Sequence, residues 1–234
     1  MVKRIFIVAA ALLLMLSSCG GGKGDASADE TVGQASLAKI AGINYSETTV
    51  NKKECKTVLV VSASPRRGGN TDLLADEFVK GATEAGGKVE KVFLADYDLE
   101  FLSEQGANQP KDVSRDTDTW KLVEKFLNAD VVALASPTYY MNVSDRMKTF
   151  IDATFLAFGD ERMGGKEFYY MTACAQADDN TAEWCFNGFR GFVMCLTNPT
   201  ERGYVRAIGM GRPGAVKGTE FMKQAYDLGK SINK

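Results

Sequence analysis

The stretch SASPRRGGNT at residues 62–71 decides how this chain is interpreted, because it joins an apolar run to a stretch of helical periodicity. The apolar run before it is VLVV at residues 58–61, and residues 72–80 after it follow a helical pattern. An ordinary turn needs one or two Gly, Asn or Ser residues. This corner combines hydroxyls, an amide, two arginines and two glycines, which favours a binding site over a simple turn.

The composition is that of one good-sized α/β domain. The chain has 234 residues, of which 45% are hydrophobic and 25% are charged. Its formal net charge of −2 gives no basic excess of the kind that marks nucleic-acid binding. Histidine is absent, which removes Ser-His and Cys-His nucleophile systems in their usual form and most zinc sites. We therefore predict no nucleic-acid partner and no metal site.

The first 18 residues resemble a secretory signal peptide. A basic pair at positions 3 and 4 precedes an apolar run of 12 residues, which is too short to span a bilayer comfortably. The sequence LSSC, ending at Cys19, is similar to the lipobox of bacterial lipoproteins, in which cleavage precedes a lipidated cysteine. A plain signal peptide with a coincidental cysteine is the alternative. Gly20 stands where an inner-membrane retention signal usually has Asp, so the resemblance implies an extracytoplasmic protein, lipid-anchored in the outer membrane of a Gram-negative bacterium.

Residues 19–55 are predicted to form a lipidated flexible tether, and residues 56–234 an ordered domain. Residues 20–36 contain few large apolar side chains and many Gly, Ser and Asp. The absence of a C-x-x-C pair disfavours a metal cluster or a thioredoxin-like site. We interpret the remaining cysteines as small buried apolar residues, although an oxidising compartment permits disulfides. They are Cys55, Cys174, Cys185 and Cys195.

Five short apolar runs are predicted to be strands: residues 57–61, 89–94, 131–135, 168–172 and 204–208. Continuous runs of this kind suit strands that are covered on both faces. A stripe of apolar residues at helical spacing follows each run. The stripe after the third run contains Met147, Phe150, Ile151, Phe155 and Phe158.

Five strands that are each followed by a helix predict an open parallel sheet with right-handed crossovers. The predicted fold is α/β, a flavodoxin-like three-layer sandwich with a five-stranded parallel sheet of order 2-1-3-4-5. A ligand is then expected beyond the carboxyl ends of strands 1 and 3, where the strand order reverses.

The first corner lies at that place and at a helix N-terminus, where free N–H groups and the helix dipole favour an anion. Ser62, Ser64 and Thr71 can donate hydroxyl hydrogen bonds, Asn70 can donate an amide, and Arg66 presents a fork matched to phosphate oxygens. The set suits one terminal phosphate. Neither a P-loop pattern nor G-x-G-x-x-G follows the strand. A glycine-rich turn with a capping side chain and solvated arginines is the alternative.

A second corner, SPTYYMNVSDRMK at residues 136–148, occupies the equivalent place after the third strand. Pro137 stiffens the turn, Tyr139 and Tyr140 offer flat faces, and Thr138 and Asn142 offer polar atoms. A planar heterocycle with polar edges would find stacking and hydrogen bonds there. Aromatic residues that simply pack under a loop are the alternative, but two such corners at one switch point favour a ligand.

These motifs together resemble the NAD(P)H-dependent FMN reductase group of the flavodoxin-like superfamily. SPRRGGNT at 64–71 is similar to the phosphate loop of that group, and SPTYYMNVSDRMKTFIDAT at 136–154 to its isoalloxazine loop and following helix. AIGMGRPGAVKGTEFMKQAYDLGKSI at 207–232 is similar to its closing strand and helix. The resemblance extends from residue 56 to the C-terminus.

Carried over by position, the resemblance implies that FMN is the cofactor and that both corners bind it. The phosphate would be held by Ser64, Arg66, Asn70 and Thr71, with Ser62 nearby. The flavin ring would be lined by Pro137, Thr138, Tyr139, Tyr140 and Asn142. The loop that begins at Thr172, after the fourth strand, falls where the group closes over the other edge of the flavin.

The sequence also departs from the group. The iron–sulfur branch carries a cysteine cluster after the second strand, whereas residues 96–109 contain none, so no iron–sulfur centre is expected. Met141 stands where a small residue is expected, which alters the approach to the flavin on that side. Cys174 is either a buried thiol or a redox-active one. Core packing and a substrate wall are the two interpretations of Phe186, Phe189 and Phe192.

The resemblance implies an FMN-dependent oxidoreductase that takes hydride from NAD(P)H as a transient donor and passes electrons to a quinone or another small acceptor. We assign no catalytic side chain, because the sequence requires none. A flavodoxin-type electron carrier is one alternative, and a binding protein of this fold without flavin is another. The lipoprotein signal adds a further hypothesis, since nicotinamide cofactors are cytoplasmic: an extracytoplasmic reductant or the membrane quinone pool replaces NAD(P)H. Members of the group are often dimeric, so the resemblance allows a homodimer.

Overall fold

The computed structural model describes residues 55–108 and 114–234. The predicted signal peptide, Cys19 and the predicted tether up to residue 54 lie outside these described residues. No helix within them has the length and apolar character needed to cross a membrane.

The described residues form a five-stranded parallel sheet in the order β2-β1-β3-β4-β5, which confirms the predicted topology. The strands are β1 (Thr57–Ser62), β2 (Lys88–Phe93), β3 (Val131–Pro137), β4 (Glu167–Ala173) and β5 (Thr200–Ala207). The helices are α1 (Asn70–Glu84), α2 (Glu104–Asn108), α3 (Asp118–Leu127), α4 (Asp145–Ala153), α5 (Asp179–Val193) and α6 (Glu220–Lys230). Shorter 3₁₀ helices follow β2 and α4 and precede β4.

Alternate residues of the central strands supply two separate cores, one on each face of the sheet. On one face, Leu134 and Tyr170 pack with apolar residues of α3, α4 and α5. On the other face, Ala133 and Tyr169 pack with apolar residues of α1 and α6. Helices on both faces explain why the strands read as continuous apolar runs.

Two predicted details are wrong. Strand β5 begins at Thr200, four residues before the predicted start, because its first residues are mostly exposed and carry no apolar signal. Helix α4 ends at Ala153 and gives way to a 3₁₀ turn, so the 3.6-residue period no longer applies to Phe155 and Phe158. Phe158 is 70% exposed and stacks on Phe155, which is also exposed, with ring centroids 5.2 Å apart.

Helices α1 and α6 lie against each other with almost no space between their backbones. A Cβ atom added to Gly81 would lie 2.0 Å from the carbonyl oxygen of Tyr226. One added to Gly229 would lie 2.2 Å from the carbonyl oxygen of Phe78. This contact fixes α1, whose N-terminus faces the candidate site, against the last helix of the chain.

Candidate functional site

A cleft of about 200 Å³ lies at the carboxyl end of the sheet, at the switch point between β1 and β3. Four chain segments line it: the corner after β1 (64–66 and 69–71), the end of β3 (137–139), the end of β4 (173–175) and the loop after β5 (210–213). We call residues 210–213 the strap. The location is the one that doubly wound sheets use for ligands.

The structure brings seven of the eleven predicted site residues to this cleft. They are Ser64, Arg66, Asn70, Thr71, Pro137, Thr138 and Tyr139. The other four, Ser62, Tyr140, Asn142 and Thr172, do not line it. Both predicted corners therefore face one space.

The first corner presents uncapped backbone donors. Helix α1 begins at Asn70 after Gly69, which has no side chain to cap the first turn. The first N–H groups of a helix have no partner within the helix, so they are available to an anion. A Cβ atom at Gly69 would lie 2.6 Å from Ser64 Oγ, so the observed position of this hydroxyl leaves no room for a side chain at residue 69. Ser64 Oγ donates a 2.8 Å hydrogen bond to the carbonyl oxygen of Arg66.

A buried carboxylate, Asp72, holds this corner together from behind. Its Oδ2 accepts from the N–H of Gly68 at 2.9 Å, and its Oδ1 accepts from Ser62 Oγ at 2.8 Å and from Lys91 Nζ at 2.7 Å. Burial tends to raise the pKa of Asp72, but the hydrogen bonds from Lys91, Gly68 and Ser62 and the charge of Lys91 outweigh it and lower that pKa. Ser62 therefore supports the loop from below instead of donating to a ligand.

Asn70 connects the first corner to the strap. Its Nδ2 donates to the carbonyl oxygens of Met210 and Arg212, both at 2.8 Å, and its Oδ1 accepts from the N–H of Val216 at 3.2 Å. Both amide donors are thus occupied by backbone carbonyls. The structure uses Asn70 as a clamp, and not as the predicted phosphate donor.

Two arginines at the cleft have no carboxylate partner among the described residues. Arg66 and Arg212 both line the cleft, and neither forms an ion pair with another residue of the described part of the chain. By contrast, Arg67 of the same corner pairs with Asp96. Unpaired guanidinium groups beside free helix N–H groups make this end of the cleft an anion site.

The other half of the cleft is flatter and less charged. Thr138 is fixed at the end of β3, because its N–H donates to the carbonyl oxygen of Ala173 at 3.1 Å and its hydroxyl lies 2.8 Å from that of Thr172. Thr172 is fully buried and also donates to the carbonyl oxygen of Ser136 at 2.8 Å, so it orients Thr138 from beneath. Tyr139 lines the cleft and is 45% exposed.

A tight hairpin turn follows Tyr139. Tyr139 and Asn142 exchange backbone hydrogen bonds of 3.0 and 2.9 Å, and the two residues between them have positive φ, 48° at Tyr140 and 59° at Met141. The turn points Tyr140 into solvent, so the prediction that Tyr140 lines a flavin ring is not met. The side chain of Asn142 accepts from the N–H of Val143 at 2.8 Å and shapes the turn instead of lining the cleft.

Cys174 is a buried thiol at the wall of the cleft. Burial raises the pKa of Cys174, so the thiol is protonated at neutral pH. Cys185 is buried as well, whereas Cys55 and Cys195 are exposed, which contradicts the prediction that all four pack as apolar residues. All four are free.

Core packing is the correct interpretation of the phenylalanines of α5. Phe186 and Phe189 are fully buried, and Phe192 packs against the same core. No metal-binding group of three or more His, Cys, Asp or Glu residues occurs in the described part of the chain.

The donor set fits the two ends of FMN. Uncapped N–H groups and two arginines suit the phosphate dianion, and the segment from Pro137 to Tyr139 suits a flat ring, whereas the Ser64 hydroxyl is occupied by the carbonyl oxygen of Arg66. Sequence reasoning missed Asp72, Lys91 and the strap. The strap lies within residues 207–232, which resemble the closing strand and helix of the group. The local sequence signal for a role in the site was a Gly-Arg-Pro-Gly turn after an apolar strand.

A larger depression of about 650 Å³ lies elsewhere on the domain. Thr57 and Lys88, the first residues of β1 and β2, line it with charged residues of α3. It therefore lies toward the amino ends of the strands, the opposite end from the one where this fold class binds ligands.

Comparison with protein families and curated sequences gives a consistent result. A family model described as NADPH-dependent FMN reductase matches residues 57–196. An iron-sulfur flavoprotein of Archaeoglobus fulgidus is 33% identical over 182 residues, which are 74% of this chain and 76% of the relative. The iron-sulfur flavoprotein MJ1083 of Methanocaldococcus jannaschii is 30% identical over 196 residues, 75% of this chain and 94% of the relative. Unlike the branch that carries the cluster, this chain has no cysteine between Cys55 and Cys174.

Solved structures share the fold. An NAD(P)H:quinone oxidoreductase from Methanothermobacter marburgensis superposes with a TM-score of 0.59 at 18% identity, covering 77% of this chain and 97% of that one. An FMN-dependent NADH-azoreductase from Bacillus anthracis, solved in complex with FMN, gives a TM-score of 0.57 at 14% identity over 76% and 97%. At these identities the likeness concerns the fold alone.

Proposed function

Since this chain belongs to the NADPH-dependent FMN reductase family, we propose that it is an FMN-dependent oxidoreductase that passes electrons from NAD(P)H to a quinone or another small acceptor. FMN is the cofactor, and when bound it supplies the hydride- and electron-transfer chemistry. The chain itself supplies binding, orientation and electrostatics.

One observation carries this proposal: a single cleft combines an anion site with a flat, weakly polar wall. At the anion end, the free N–H groups of α1 and the Arg66 guanidinium can hold a phosphate. At the other end, Thr138 is held rigidly by Thr172, and Tyr139 exposes an aromatic face. A cleft that combines these two kinds of lining suits a ligand with a dianionic tail and a planar head.

The residues that line the cleft include no carboxylate and no histidine. Cys174 is protonated at neutral pH because burial raises its pKa. The lining therefore binds and orients, and it offers no side chain of ordinary acid–base strength near pH 7. This supports chemistry that belongs to the cofactor.

The experiment that tests the proposal begins with colour. The full chain is incubated with FMN and passed through a desalting column, and flavin absorbance is expected to stay with the protein. NADPH and NADH are then added under anaerobic conditions, and the visible absorbance is expected to fade and to return when a quinone is added. A protein that stays colourless would show that the proposal is wrong.

The same experiment separates the two alternative functions. A flavodoxin-type carrier would retain FMN, but NAD(P)H would not bleach it unless a partner reductase were present. A binding protein without flavin would not retain FMN. If nicotinamide cofactors fail and a quinol bleaches the flavin, the donor is the membrane quinone pool.

We also propose that the chain is lipid-anchored through Cys19 and exposed outside the cytoplasm. The support is the basic start, the short apolar run and the LSSC sequence. Expressed in a Gram-negative host, the full chain is expected in the outer-membrane fraction, and a Cys19→Ser variant is expected to lose the lipid and leave that fraction. Equal membrane association of both chains would contradict the anchor. The homodimer allowed by the family is tested by light scattering on the same Cys19→Ser protein.

A further inference from the structure

We infer that Arg212, held in place by Asn70, is a second phosphate-binding arginine of this site and makes the cleft prefer FMN to unphosphorylated riboflavin. This inference rests on the proposed function, because it concerns the same cofactor. It adds a positioning residue and a specificity-determining residue that lie 142 positions apart in the sequence.

Hydrogen bonds from Asn70 fix the position of the backbone around Arg212. Asn70 Nδ2 donates to the carbonyl oxygens of residues 210 and 212, and Asn70 Oδ1 accepts from the N–H of Val216. These three hydrogen bonds fix the backbone on both sides of Arg212 to the first turn of α1. Asn70 thereby holds the strap against the end of the cleft that Arg66 also lines.

The charges at this end of the cleft match those of a phosphate monoester. A phosphate monoester carries about −1.5 to −2 at neutral pH. Asp72, the carboxylate of this corner, is engaged by Lys91 at 2.7 Å, which it shares with Asp76 at 2.6 Å, and Arg67 pairs with Asp96. Arg66 and Arg212 remain as two positive charges that form no ion pair within residues 55–108 and 114–234. Two guanidinium groups match one dianion in charge.

A guanidinium at this position distinguishes FMN from riboflavin. Riboflavin has the same ring and ribityl chain as FMN but ends in a neutral hydroxyl. A guanidinium at the anion end gains a charge-assisted hydrogen bond with FMN and little with riboflavin. Arg212 should therefore contribute to the ratio of the two dissociation constants and not to flavin binding in general.

The test uses the full chain and titrates FMN and riboflavin by quenching of flavin fluorescence. In Arg212→Gln we expect FMN to bind about tenfold more weakly, with riboflavin unchanged and the difference shrinking in 0.5 M NaCl. Arg146→Gln is the matched control, since Arg146 also forms no ion pair with any residue that the structure describes but lies on α4, outside the cleft. It should leave both affinities within twofold of the unmodified chain.

The clamp is tested independently of any flavin. In Asn70→Ala, the backbone N–H of Val216 loses its acceptor, so hydrogen exchange of peptides covering the strap should become faster in the flavin-free protein. The same variant should lose FMN affinity selectively, and the double variant Asn70→Ala/Arg212→Gln should lose clearly less than the sum of the two single losses, because both act on one contact. Circular dichroism confirms that each variant is folded.

Several results would overturn the inference. An unchanged FMN-to-riboflavin ratio in Arg212→Gln would remove Arg212 from the phosphate site while leaving the proposed function standing. Equal weakening of both flavins would assign the strap to the ring or to the fold. Unchanged exchange in Asn70→Ala would dismiss the clamp. Failure of the unmodified chain to bind FMN would overturn the proposed function and this inference together.

Discussion

Gly69 sets the shape of the phosphate corner, because Ser64 Oγ occupies the place that a side chain would take. The Cβ of an alanine there would lie 2.6 Å from that oxygen and 3.1 Å from the carbonyl oxygen of Arg66. We expect Gly69→Ala to cost about 1–3 kcal/mol of unfolding free energy and to weaken FMN binding about tenfold or more. Denaturant unfolding and flavin titration measure the two effects.

Gly211→Ala is the matched control for this prediction. Gly211 lines the same cleft, but its added Cβ would meet only Ala175, at an ordinary 3.4 Å. We expect it to change stability by less than about 0.5 kcal/mol. Should the two alanine variants behave alike, the collision with Ser64 is not what constrains the corner.

Several residues of the cleft could be predicted from the sequence, but the residues with which they form hydrogen bonds could not. Ser64, Arg66 and Tyr139 could be predicted because each carries its chemistry in its own side chain. The role of Asn70 could not, because its hydrogen-bond partners lie 140 to 146 positions away in a loop whose path depends on the whole fold. Asp72 was missed for a related reason: an acidic residue in the first turn of a helix is ordinary, and only burial beside Lys91 makes it structural.

Among the elements, the junction between α3 and β4 buries a charged side chain. Lys166 is 3% exposed, and its Nζ donates to the carbonyl oxygens of Leu127, the last residue of α3, at 3.0 Å and of Ala129 at 2.7 Å. Burial lowers the pKa of Lys166 to about 8 from its ordinary value of 10.5. Between these values the unfolded chain binds the proton and the folded chain does not, so stability rises with pH.

We therefore predict a pH-dependent difference between the unmodified chain and Lys166→Met. From pH 8 to about 10.5, the unfolding free energy of the unmodified chain should gain on that of the variant by up to about 3 kcal/mol. Below pH 7 the difference should be flat. Using the difference cancels the thiols and tyrosines that titrate in the same range. A difference that does not change with pH would mean that Lys166 keeps its ordinary pKa.

The hairpin turn between Tyr139 and Asn142 holds two side-chain-bearing residues at positive φ, which favours glycine. Replacing Met141 by glycine should relieve about 0.5–1 kcal/mol of that strain. Asn198→Gly is the control, because Asn198 also has positive φ, 49°, but asparagine tolerates this region. Thermal unfolding should show a gain for Met141→Gly that exceeds the gain for Asn198→Gly; the reverse order would show that the turn is unstrained.

Element boundaries were predicted less well than the elements themselves, for physical reasons. The β1, β3 and β4 runs are buried on both faces, so hydrophobicity alone marks them. The start of β5 is exposed at the edge of the sheet, and the end of α4 tightens into a 3₁₀ turn that places Phe158 in solvent. Neither the exposed start of β5 nor the 3₁₀ turn after α4 produces a periodic pattern of apolar residues in the sequence.

For the whole molecule, the contact between α1 and α6 joins the beginning of the domain to its end. Gly81 and Gly229 let the two backbones touch, and an added methyl at Gly81 would lie 2.0 Å from a backbone oxygen that cannot rotate away. We expect Gly81→Ala to cost about 3 kcal/mol or more, measured by denaturant unfolding, because the helices must separate.

Gly191→Ala provides the comparison within a helix. Nothing lies within 4 Å of an added Cβ at Gly191 in α5, so the alanine should stabilise the protein by about 0.5–1 kcal/mol. A loss of unfolding free energy for Gly81→Ala and a gain for Gly191→Ala would show that helix packing decides the effect at Gly81. A loss of similar size at both positions would instead point to a general effect of helix alanines.

The sheet order was predictable at this scale because chain topology leaves few choices. Five apolar runs, each followed by a helical stripe, predict parallel strands and right-handed crossovers. That order alone places the corners after β1 and β3 side by side, which is why two separate motifs could be assigned to one ligand before their distance was known.

The clamp formed by Asn70 has a consequence for the timing of biosynthesis. When a ribosome has produced the chain as far as β4, the nascent polypeptide already contains the corners after β1 and β3, but the carbonyls of residues 210 and 212 do not yet exist. The contacts of Asn70 with the strap therefore cannot form before residues 210–216 have been synthesised. A chain truncated before residue 210 would lack this side of the cleft.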